Sequence, residues 1–366
     1  MSRPSRRTTR FLRTWLSHRE RLLVSEVTLS RDGDPVPGTF LIPPERVERV
    51  PAWIVLHGIT RPGRAHVQLK RFTRSLASTG CAVIVPEVAE WRELVIAPYV
   101  TVPTIKAALE FLSERSDVFA DRVGLVGFSF GAPQAIAAAA VPELRHRVAG
   151  VVGFGGYRDL ERSLRFQFTG EHDWEGVAYA QAPDPYGRWI VGANYLHATQ
   201  SYGDATELAT ALRTLASVAG DNGTPAWDAV YDPLKEKIRG EIPRDQRDLF
   251  DLFAPSHDRI PSGPAVESLV RELAAAARSE EPEIEPVSRL REVTCPAHVL
   301  HGRYDALMPF SEGLRLAREL SRADPCRTAV TRLFGHSGPN RISWIREGWR
   351  EARTFVEALN GVLQVV

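Results

Sequence analysis

Short apolar runs at residues 52–56, 81–85, 123–126, 148–154 and 297–301 alternate with amphipathic segments along much of this chain. A run that stays apolar at consecutive positions suits a strand covered on both faces, which is the situation in a mainly parallel sheet. The segments between the runs have helical spacing. Leu69, Phe72 and Leu76 lie on one face before a stop at Gly80, and Ile105, Ala108, Leu109 and Leu112 do so behind Pro103. Such alternation predicts right-handed crossovers about a mainly parallel central sheet flanked by helices, an α/β architecture. A hairpin signal comes first, with runs at 27–30 and 38–42 about Asp32-Gly33, where glycine supplies a positive φ at little steric cost.

The rhythm stops at residue 157 and resumes at 297. Between them helical patterns dominate, at 207–218, 227–238, 246–253 and 265–277, separated by punctuation such as Gly220-Asp221-Asn222-Gly223-Thr224-Pro225. The acidic run Glu280-Glu281-Pro282-Glu283 reads as a solvated return. A strand at 327–333 and a helix from 342 to 359 then continue the first pattern. The expected division is a basic arm at 1–25, an α/β core at 26–156 and 293–366, and a helical cap inserted at 157–292. A length of 366 residues accommodates one such core with a large insertion.

Charge excludes some functions. Lys plus Arg number 46 against 45 for Asp plus Glu, so no overall field favours nucleic acid. Three cysteines, Cys81, Cys295 and Cys326, make neither a disulfide framework nor a metal-type spacing, and a reducing, cytoplasmic setting is the expectation. No cofactor and no metal is expected, since the adjacent pair His172-Asp173 has no spaced partner. The basic arm contains the Arg6-Arg7 pair of an export signal. Charges from His18 to Arg21 interrupt the apolar core that such a signal needs. Phe11, Leu12, Trp15 and Leu16 would fit an amphipathic helix on a membrane surface, but a basic tail or a helix lying on the domain is the favoured reading. No apolar stretch is long enough to span a bilayer.

The strongest local signal is Gly127-Phe128-Ser129-Phe130-Gly131, between the strand at 123–126 and an alanine-rich helix. A nucleophilic serine on a sharp strand-to-helix turn is strained, and the positions two before and two after it must be nearly free of side chain. The helix N-terminus beyond it favours developing negative charge. Two later segments complete a pattern: Asp305 in His301-Gly302-Arg303-Tyr304-Asp305, after the strand at 297–300, and His336 in Phe334-Gly335-His336-Ser337-Gly338.

With these motifs the chain resembles the α/β-hydrolase superfamily over residues 26–156 and 293–360, and the cap resembles nothing further. The resemblance implies a triad of Ser129 as nucleophile, His336 as general base and then acid, and Asp305 as the carboxylate that orients it. His57-Gly58-Ile59-Thr60 matches the family's oxyanion loop. It implies that the backbone N–H groups of Ile59 and Phe130 hold the oxyanion, with Thr60 in reserve and His57 structural.

The expected activity is hydrolysis of a small-molecule carboxylic ester through an acyl-serine. A peptidase, thioesterase or C–C bond hydrolase on the same triad, or an inactive binding module, are the alternatives, since fold alone does not separate them. Trp174, Tyr179, Tyr186, Trp189, Tyr195 and His197 in the cap either line an apolar pocket or pack helices together. Trp189 and Tyr195 are the pocket candidates. The sequence gives no oligomeric state.

Overall fold

In a computed structural model, which describes residues 5–44, 49–332 and 348–366, the chain runs from helix α1 (Arg6–Ser17) into the antiparallel pair β1 (Leu23–Arg31) and β2 (Asp34–Ile42). There follow β3 (Val50–Leu56), α2 (Val67–Ala77), β4 (Ala82–Pro86), the short α3 (Ala89–Arg92), α4 (Thr101–Ser113), β5 (Val118–Phe128), α5 (Gly131–Ala138) and β6 (Val148–Phe154). The inserted region holds α6 (Leu160–Thr169), β7 (Glu171–Trp174), β8 (Val177–Ala180), α7 (Tyr186–Tyr195), α8 (Thr206–Asn222), α9 (Asp232–Glu241), α10 (Arg247–Phe253), α11 (Pro264–Glu280) and α12 (Val287–Leu290). Then come β9 (Ala297–Gly302), α13 (Phe310–Glu319), β10 (Cys326–Thr331) and α14 (Gly348–Val362).

The central sheet has eight strands in the order β1-β2-β4-β3-β5-β6-β9-β10, antiparallel at β2 and parallel from β4 onward. Its two faces explain the apolar runs. Along β3, Ala52, Ile54 and Leu56 join the apolar cluster that includes α4, α5 and the inserted helices. Trp53 and Val55 join the other, with Phe11 of α1, Phe72 and Leu76 of α2 and Leu359 of α14. Both sets are essentially without solvent exposure, so every position of the strand is apolar for one face or the other.

The arm folds onto this second face. Phe11 stacks on Trp15 at 6.1 Å and meets the edge of Phe72 at 5.7 Å, while Arg71 lies over the Trp15 ring and donates to its carbonyl at 2.8 Å through Nε. Phe11 and Trp15 of α1 are therefore packed on the domain itself, while Leu16 is exposed. No helix among the described residues is long and apolar enough to cross a membrane.

The inserted region adds what its sequence did not signal: α6, α7 and a two-stranded hairpin, β7–β8, apart from the main sheet. The hairpin's positions are mostly exposed, so it contains no buried run to read, and its turn is made by Glu175 and Gly176, both at positive φ. The interior of the region, with Phe168, Trp189, Leu212, Phe253 and Leu269, is continuous with the core on the first face of the sheet.

Candidate active site

The turn between β5 and α5 forces Ser129 into the left-handed region, φ +53°. A side chain there costs energy that only a well-determined surrounding can hold. The surroundings supply it. A Cβ on Gly127 would stand 2.1 Å from the Gly131 carbonyl oxygen, and one on Gly131 would stand 2.6 Å from that of His57. The Ser129 N–H donates to the Phe154 carbonyl at 2.8 Å, tying the turn to the neighbouring strand. Helix α5 is buried along its whole length, which is why its side chains are so small.

The loop after β3 lies directly against this turn. A Cβ on Gly58 would come within 3.0 Å of Ser129 Cβ and 3.6 Å of its Oγ, so only glycine allows that approach. The backbone N–H groups of Ile59 and Phe130 donate to no other protein group among the described residues. A serine on a strained strand-to-helix turn, faced by the loop that follows β3, is the defining arrangement of one family of folds. The fold is that of the α/β-hydrolases.

No protein-family model and no curated protein matches the chain. Solved structures similar to it include the Pyrococcus furiosus esterase Pf2001, with a TM-score of 0.49 and 12% identity over 94% of this chain and 92% of that one. Est1E from Butyrivibrio proteoclasticus has a TM-score of 0.47 and 12% identity over 91% of this chain and 98% of its own. The acylaminoacyl peptidase of Pyrococcus horikoshii has a TM-score of 0.48 and 11% identity over 93% of this chain, which spans only 41% of the peptidase.

In this α/β-hydrolase fold Asp305 stands at the same end of the sheet as Ser129. Phe128 pairs with Phe154, and Phe154 with Leu300, so β5 and β9 are two strand spacings apart, about 10 Å. The carboxylate is 2% exposed. Its Oδ1 accepts the N–H groups of Leu307 and Met308, each at 3.0 Å. Sequence reasoning missed His301. Its Nε2 lies 3.0 Å from the Met308 carbonyl oxygen and 3.5 Å from Asp305 Oδ2. Its ring is pressed on Gly313, where a Cβ would stand 2.3 Å from Nδ1. The third expected member, His336, lies outside the described residues.

His57 has the structural place expected of it. Its Nε2 accepts the Val88 N–H at 3.0 Å and lies 3.1 Å from Glu87 Oε1, and Trp91 meets its ring edge-on at 5.7 Å. Burial pushes the Glu87 carboxyl up, but its contacts with His57 and with Arg64, whose backbone N–H donates to Oε1 at 3.2 Å, outweigh it and hold the group below its ordinary 4.5. Gly63, at φ +52°, has room for no side chain, because a Cβ would stand 2.2 Å from Glu87 Oε1. This cluster braces the loop after β3 and was not legible from spacing.

The inserted region grips both loops. Gln181 Nε2 donates to the Asp305 carbonyl at 2.6 Å, the Asp184 N–H to that of Ala306 at 2.7 Å, and Gln167 Nε2 to that of Leu307 at 3.1 Å. Arg61, in the loop after β3, pairs with Asp221 at 3.2 Å. The Tyr186 hydroxyl is buried against Thr60 and Arg61, and that burial raises its pKa. Beneath Phe130, Tyr157 stacks at 6.5 Å and donates its hydroxyl to the Ile284 carbonyl at 2.6 Å.

The two pocket candidates differ in their surroundings. Trp189 is fully buried, with its indole N–H on the Phe253 carbonyl at 2.7 Å, next to Arg188, whose Nε donates to the same oxygen at 2.7 Å. It serves the interior of the inserted region. Tyr195 is 3% exposed, and its hydroxyl is without a hydrogen-bond partner among the described residues. His172 stacks on Tyr179 at 5.1 Å with Nδ1 3.1 Å from the Ser311 hydroxyl. Burial and then Arg315 lower its pKa to about 4. Asp173 is engaged by Arg315 at 2.9 Å, and among the described residues no cluster of metal-ligating side chains occurs.

Proposed function

We propose that the protein is a serine hydrolase that cleaves a carboxylic ester, with Ser129, His336 and Asp305 as its triad. The observation that carries this reading is the left-handed Ser129 held against Gly58, with the N–H groups of Ile59 and Phe130 unengaged beside it.

In this reading His336 takes the proton of the Ser129 hydroxyl as Oγ attacks the acyl carbon, and Asp305 stabilises the resulting imidazolium. The two N–H groups receive the oxyanion where charge develops, an effect worth roughly 2.7–4 kcal/mol for each donor. Collapse expels the alcohol with the proton from His336. Water then attacks the acyl-serine, giving its proton to His336 and releasing the acid and free Ser129. An ester asks least of this apparatus, because an alkoxide is a better leaving group than the nitrogen of an amide. The inserted helices act as a lid. They leave from β6 at the serine's end of the sheet and bond to the acid loop, which supports a role in excluding water and selecting the acyl group.

A fluorophosphonate probe tests the proposal. It should label the wild-type chain at Ser129, and Ser129→Ala and His336→Ala should both abolish labelling and turnover of short-chain nitrophenyl esters. Labelling at another serine, or turnover that survives in Ser129→Ala, overturns it.

A further inference from the structure

Four arginines, Arg10 and Arg13 of α1 and Arg19 and Arg21 of the connection to β1, converge on one open pocket of about 310 Å³, with the hydroxyl residues Thr14 and Ser78 in its wall. Arg10, Arg13 and Thr14 share a helix face by their spacing. Val50, at the start of β3, and Gly80, just before β4, also line it, so it opens at the N-terminal ends of the parallel strands, across the sheet from Ser129.

Among the described residues these guanidinium groups have no hydrogen bond or ion pair. Glu20, the acidic residue in the wall, is already committed to Arg74. Several other arginines are paired with acids, among them Arg31 with Glu90, Arg115 with Asp117, Arg239 with Asp251 and Arg278 with Glu285. Four unmatched cations gathered about one pocket, in a chain whose net charge is only +1, describe a site that is short of an anion. Guanidinium forks match phosphate oxygens two at a time. A phosphoryl group carries about −1.5 to −2 charges, so two of them balance four arginines.

We propose that this pocket binds a ligand bearing two or more phosphoryl groups, either a soluble diphosphate or clustered phosphoinositide headgroups. Leu16 and Leu23, both exposed, flank the arginines in sequence and favour trying the second source. An occupant here leaves the Ser129 end of the sheet open.

The test is calorimetric titration of the full chain with inorganic pyrophosphate, and co-sedimentation with phosphatidylcholine vesicles with and without phosphatidylinositol bisphosphate. The expected result is one pyrophosphate per chain, weakened at least about tenfold in Arg13→Gln/Arg19→Gln. The charge-matched control Arg145→Gln/Arg322→Gln should bind as wild type, and all three proteins should keep equal esterase activity. Pyrophosphate binding without vesicle binding assigns the soluble source; vesicle binding that pyrophosphate competes away assigns the lipid one. The proposal is overturned if neither probe binds, or if the two double variants lose affinity equally.

Discussion

His301 Nε2 stands between the Met308 carbonyl oxygen, at 3.0 Å, and Asp305 Oδ2, at 3.5 Å. A carbonyl only accepts, so Nε2 carries the proton, and the imidazole clasps the acid loop closed with its positive edge toward the carboxylate. His301→Ala should lower kcat on a short ester by about 10–100-fold, the scale expected when a catalytic group shifts by a fraction of an ångström, with little change in KM. His301→Gln, which keeps a donor, should recover part of the loss. Wild-type kcat in the alanine variant would show that the clasp is irrelevant.

Glu87 gives a stability prediction with a definite sign. Its folded-state pKa lies below the ordinary 4.5, so its contribution is present above that value and is lost as pH falls through the folded one. Wild type should melt higher than Glu87→Gln at neutral pH, and the gap should shrink below about pH 4.5. Melting curves across that window decide it, and a gap that grows on acidification refutes the assignment.

The backbone at Ser129 predicts a conflict between stability and activity. Holding a side chain in the left-handed region costs roughly 1–2 kcal/mol, part of which glycine returns through its freer unfolded chain. Ser129→Gly should therefore be more stable than Ser129→Ala by about 1 kcal/mol in denaturant titration, with both inactive. Equal stabilities would mean that the turn relaxes.

Trp189 and Tyr195 should now part company. Trp189→Ala removes a fully buried indole and should cost about 3–5 kcal/mol, lowering activity toward small and large esters alike as the inserted region loosens. Tyr195→Phe deletes a buried hydroxyl without a partner and should leave stability equal or raise it by about 1 kcal/mol. If that variant instead loses turnover of one class of ester while folding normally, the hydroxyl meets the substrate.

Much of the core was legible because its cause is local. The runs at 52–56 and 123–126 announce strands buried on both faces, and glycines spaced about Ser129 announce a turn with no room for side chains. The place of Asp305, at the serine's end of the sheet, was legible because it follows a readable strand; its role came from the resemblance. His301, Glu87 and Gln181 were not legible. Each matters through a partner distant in sequence or through the fold of a loop, and nothing in a histidine at a strand end or a glutamine in a linker marks it in advance. The hairpin β7–β8 escaped for the opposite reason, since exposed strands contain no apolar pattern.

The grip of Gln181, Asp184 and Gln167 on three successive carbonyls, those of Asp305, Ala306 and Leu307, has a mutational consequence. An inserted region joined in this way is not a free module, because its removal strands three acceptors beneath the Asp305 carboxylate. Under the proposed function, a change in α8 to α11 alters the lid without disturbing this joint, whereas a change at Gln167, Gln181 or Asp184 also disturbs the loop that holds Asp305.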